Sequence, residues 1–101
     1  MIDLDTHVIN CLVLAREDCN PRDAALSAAI IAGRHAARLG MHEKEFNIWL
    51  KSAYGRVWVK HSNLQPGVDF KEVRKIAMIA YKKEIEGDKY WMNNFVKNSL
   101  F

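Results

Sequence analysis

The run His42-Glu43-Lys44-Glu45-Phe46 opens like the zinc-protease signature HExxH. In that signature two histidines one helical turn apart hold the metal and the glutamate acts as base. Phe46 stands where the second histidine must be, so the ligand pair is missing and no metal is expected. His7, His35 and His61 are scattered, although His35 and His42 flank Gly40 and could meet across a turn. Cys11 and Cys19 fit neither CxxC nor a disulfide framework, and two free thiols in a reducing cytoplasm are the expectation. The chain holds no GxSxG elbow, no glycine-rich phosphate loop and no cysteine with a motif-placed histidine. A protein without catalysis, cofactor or metal is the resulting expectation.

Binding chemistry is better represented. Residues 56–101 carry nine Lys/Arg against five Asp/Glu, whereas residues 1–55 carry six against seven. Any polyanion contact should favour the C-terminal half. There Arg74, Lys75, Lys82 and Lys83 alternate with Glu72, Glu84 and Glu86, the mixture that a solvated helix face shows. The same half holds most of the large aromatics. Trp58, Pro66, Tyr90, Trp91, Phe95 and Phe101 are the candidate contacts for a protein partner, because aromatic side chains concentrate in interface hot spots. The segment Gln65-Pro66-Gly67 reads as a turn, and a host prolyl isomerase could engage it.

These side chains need elements to position them. The chain of 101 residues, half of them hydrophobic, suits one helical domain with one core. A first helix follows Asp5-Thr6, with Val8, Cys11, Leu12 and Ala15 on one face; Val13 and Leu14 widen the stripe and predict cover on more than one side. A second helix starts at Asn20-Pro21 and runs to Gly40. Its alanines, with Gly33, allow close backbone approach, which places it at the centre of the fold. A third spans about His42 to Tyr54 on Phe46, Trp49, Leu50 and Ala53, with Gly55 as its stop. Arg56–Ser62 is ambiguous between helix and irregular connection. Asp69-x-x-Glu72 caps a fourth helix, closed by Gly87, and residues 89–101 form a fifth or a tail docked on a partner. The fold class is all-α, a small bundle of four to five helices with short connections.

Residues 35–51, HAARLGMHEKEFNIWLK, resemble helix-turn-helix units. Ala36, Gly40, Phe46 and Trp49 fall in that register, and His42, Lys44, Asn47 and Lys51 would then read DNA. Glu43 and Glu45 would face the phosphates and be repelled, and a plain αα-hairpin produces the same apolar positions. Over a longer stretch, GRHAARLGMHEKEFNIWLK through KHSNLQPGVDFKEVRKIAMIAYKKE, the chain resembles the anti-RecBCD proteins of temperate Salmonella phages. That resemblance implies a non-enzymatic accessory protein. It would bind the host RecBCD helicase–nuclease and redirect its processing of DNA ends toward phage recombination. It assigns no residue a role. The N-terminus, MIDLDTHVIN, has acids where a secretory signal has bases, and no apolar run approaches the roughly 18 residues of a membrane span. A cytoplasmic protein with no membrane contact is expected.

Overall fold

Each helix begins where the sequence offers something to occupy its first backbone N–H groups. A computed structural model of the chain describes residues 3–62 and 69–87. Helix α1, Leu4–Asp18, is capped by Asp3, whose Oδ1 accepts from the Thr6 N–H at 2.7 Å. The expected caps, Asp5 and Thr6, lie inside the helix, and Asp5 is thereby released for another partner. Leu4, Val8 and Leu12 are buried, but Val13 and Leu14 are exposed. The wide apolar stripe therefore does not mean cover on several sides.

Helix α2, Pro21–Arg38, starts as expected: Asn20 Oδ1 accepts from the Asp23 N–H at 2.9 Å, and Pro21 needs no donor. It ends as expected too. Gly40 takes the left-handed conformation at φ +79°, its N–H reaches the Ala37 carbonyl at 3.1 Å, and the Met41 N–H reaches Ala36 at 3.1 Å. Those crossed bonds satisfy carbonyls that the helix end would leave open. Helix α3, Glu43–Ala53, follows directly, with the His42 N–H donating to Glu45 Oε1 at 3.3 Å.

Gly55 does not stop α3. The backbone widens into a π-helical segment, Tyr54–Val59, and then makes one short helical turn, α4, Lys60–Ser62. The Lys60 N–H reaches back five residues to the Gly55 carbonyl. The wider turn sends Tyr54, Val57 and Trp58 into the core. Packing thus decides a stretch that local sequence leaves between helix and irregular connection. It also corrects the assignment of Trp58 to a partner surface. Trp58 is 0% exposed, and its indole N–H donates to the Ala25 carbonyl at 3.0 Å, inside the bundle.

Helix α5, Phe70–Glu86, has Asp69 at its cap position but no side-chain cap bond, and Gly87 ends it at φ +77°. Glu72, the other half of the expected capping box, turns to Arg22 at the start of α2. At the far end Arg38 Nε meets Glu84 Oε1 at 2.7 Å, and Arg34 Nε lies 3.6 Å from Oε2. Start meets start and end meets end, so α2 and α5 run in the same sense. Helix α2 packs chiefly on α5 and α1, which puts it at the centre. The described residues are all-α, and no helix among them is long and apolar enough to cross a membrane.

At Gly33 the backbones of α2 and α5 come close. A Cβ there would lie 2.3 Å from the Ala77 carbonyl oxygen and 2.8 Å from the Ala80 Cβ. Ala gains about 1 kcal/mol over Gly in a helix interior, whereas overpacking a close backbone contact costs about 1–3 kcal/mol and the clash here is with backbone. Gly33→Ala should therefore lower the midpoint of urea unfolding. Gly55→Ala meets nothing within 4 Å and should leave the midpoint unchanged or raise it. Equal midpoints for the two variants would show that the helices are not held at this contact.

Candidate functional site

Two helices that are distant in sequence form an open concavity. His42, at the cap of α3, and Glu43, Lys44, Glu45 and Asn47 of that helix form one wall, and α5 contributes Lys71, Arg74, Lys75 and Lys82 to the other. Met78 of α5 lies half-buried between them. The resulting open groove has a volume of about 1020 Å³.

Its position is set by the turn between α2 and α3. Buried Tyr81 donates its hydroxyl to the Met41 carbonyl, next to His42. Burial, with Glu43 and Glu45 nearby, pushes the Tyr81 phenol up, so it remains a neutral donor. Tyr81 also stacks on Phe46, with ring centroids 5.3 Å apart, which fixes α3 from below. Across the groove Arg74 Nε donates to Asn47 Oδ1 at 2.8 Å, and Lys82 Nζ meets Glu43 Oε1 at 3.3 Å. Glu45 is engaged with the His42 N–H. Both acids on the α3 wall are therefore satisfied. Among the described residues, Lys44, Lys71 and Lys75 have neither an ion-pair nor a hydrogen-bond partner. All three are exposed.

The structure brings together three of the four residues expected to read DNA. His42 and Lys44 are exposed in the groove, and Asn47 is half-buried with its carbonyl oxygen engaged by Arg74. Lys51 is exposed but does not line it. Helix α3 packs on α5 and on its own π-helical continuation, and not along α2 as the two helices of a helix-turn-helix or a simple hairpin do. Lys71 was outside the sequence expectation, and the remaining α5 cations were read as a solvated face. Pro66, Tyr90, Trp91, Phe95 and Phe101 lie outside the described residues. The aromatics inside them are core: Phe46, Tyr54, Trp58 and Tyr81 are buried, and Trp49 and Phe70 are half-buried.

Two other polar clusters hold the fold together. Asp5 on α1 accepts from the Trp49 indole at 2.7 Å and from Arg56 Nε and Nη2 at 2.5 and 3.1 Å. The Arg56 hydrogen bond holds its carboxyl below the usual range, and that of Arg56 is raised in turn. The second cluster is a stack of His7 on His35, centroids 4.1 Å apart. His35 therefore meets His7 of α1 across the helix pair and not His42 across the turn. Cys11 and Cys19 are free thiols, and burial pushes the Cys11 thiol up, away from reactivity. No group of His, Cys, Asp and Glu among the described residues could hold a metal ion. No protein-family model matches this chain, and neither a curated protein nor a solved structure does.

The histidine stack sets a pH dependence. Burial first, then His7 and Arg38, pulls the His35 imidazole below its ordinary 6.5, and its Nε2 is buried without a partner. The unfolded chain thus binds more protons than the fold once pH drops below 6.5, so stability rises with pH through that window and is lost on acidification. Unfolding midpoints at pH 8 and 5.5 should differ, with the acidic one lower, and His35→Phe should narrow the gap. A gap unchanged by that substitution would place the sensitivity elsewhere.

Proposed function

We propose that this chain is a non-enzymatic phage accessory protein. It binds the host RecBCD helicase–nuclease in the bacterial cytoplasm and turns its processing of DNA ends toward phage recombination. The likeness of Gly33 through Glu84 to the anti-RecBCD proteins supplies the partner. The observation that carries the mode of action is the α3–α5 groove, an open surface with cations set out on both walls. Such a surface suits contact with another macromolecule. Tyr90, Trp91, Phe95 and Phe101 would add aromatic area to that contact, on their residue types alone.

A DNA reader would use the same groove differently. It would present the start of α3 to base edges, where Glu43 and Glu45 stand. Asn47, the side chain best suited to an adenine edge, is occupied by Arg74. The geometry therefore lends the protein-binding reading more support.

Tagged protein should capture RecBCD from nuclease-treated bacterial lysate, as identified by mass spectrometry. Adding it to purified RecBCD should change the extent of duplex degradation. Failure to capture the complex, together with duplex binding that weakens steeply as salt rises, would replace this reading with direct DNA recognition.

A further inference from the structure

We infer that the α3–α5 groove is the docking site for an acidic, amphipathic helical segment of a protein partner. This rests on the partner-binding reading above and adds the chemistry of what is bound. The charges on α5 are sorted in space. Glu72 and Glu84 face the α2 arginines, Glu72 on Arg22 and Glu84 on Arg34 and Arg38. Lys71, Arg74, Lys75 and Lys82 face the groove instead. Within the groove Glu43 pairs with Lys82, and among the described residues Lys44, Lys71 and Lys75 keep no ion-pair partner.

The spacing fits a helix. From Lys71 to Lys82 is eleven residues of one helix, about 16 Å, which is the length of about three turns of a second helix laid alongside. Carboxylates at three- and four-residue intervals on that segment would meet Lys71, Lys75 and, from the facing wall, Lys44. Half-buried Met78, with the lysine stems around it, offers an apolar floor for one or two aliphatic side chains. A phosphate backbone would use the charges but not that apolar floor. The chain's own residues 88–101 carry Lys89 and Lys97 against Asp88, so they are not the acidic occupant.

The probe is a fluorescein-labelled helical peptide of about 12 residues with glutamates on one face and leucines on the other, titrated by the full chain and read by fluorescence anisotropy. Binding is expected, weaker at high salt, and reduced at least about tenfold by K71E/K75E. K44E, on the opposite wall, should also weaken it, whereas K60E, outside the groove, should not. Circular dichroism melts of all three variants check that the fold is kept, since each lysine is exposed. Absence of peptide binding, unchanged affinity in both K71E/K75E and K44E, or displacement of the peptide by a short DNA duplex would each overturn the inference. Capture of the host complex is scored separately. If the wild-type chain captures it and the peptide fails, the groove inference falls and the partner reading stands. If the peptide binds through these lysines and the complex is not captured, the reverse holds.

Discussion

The bundle is organised by a backbone-to-backbone contact that only glycine permits. At Gly33 the two longest helices approach until the Ala77 carbonyl occupies the space of a side chain. Ala77 and Ala80 on α5 face Gly33 there, and both are buried, as are most of the alanines of α2. Small residues bury little area each, so close approach and many dispersion contacts have to supply what larger side chains would supply by area. Large residues pack elsewhere on α2, where Trp58 reaches the Ala25 carbonyl and the rings of Trp49 and Tyr54 lie around it.

That contact also fixes the rotation of α5 about its own axis, and the rotation decides where its charges go. With Ala77 and Ala80 against Gly33, Glu72 and Glu84 come within reach of the α2 arginines, and the lysines turn to α3. Exposed ion pairs contribute about 0–1 kcal/mol each, less than the about 1–3 kcal/mol at stake in overpacking the glycine contact. The pairs therefore follow the packing and refine its register. The groove's excess of positive charge is in this sense a product of the core.

Features that depend on neighbouring residues were legible in the sequence. Asn20-Pro21, Gly40 and Gly87 marked helix ends because capping is local, and the alanine run in α2 announced a central helix because small side chains have one structural use at that density. The cap on α1 lies two to three residues before the expected one because Asp3, Asp5 and Thr6 are all competent, and Asp5 is held by Arg56 from a distant part of the chain. The course of 54–59 was illegible for a related reason. Gly55 is an adequate stop, and nothing within the segment reveals that burying Tyr54, Val57 and Trp58 outweighs stopping there. The groove could not be read at all. It joins residues 42–47 to residues 71–82, and the alternating signs along α5 separate only when α2 is present to take the acids.

The aromatic residues show the same logic in reverse. A surplus of large rings in a short chain reads as interface, because a small domain has limited interior. Yet Phe46, Tyr54, Trp58 and Tyr81 are buried, in a continuous line of ring contacts from Phe70 to Tyr81. The alanine-rich helix makes this possible: it yields volume that the rings then fill, large against small across facing positions. What remains exposed in the described part is the cationic groove together with separate apolar side chains such as Leu14, Ile48 and Ile85. At the groove the charges are placed by a packed frame, and the Tyr81–Met41 bond joins that frame to the groove's edge.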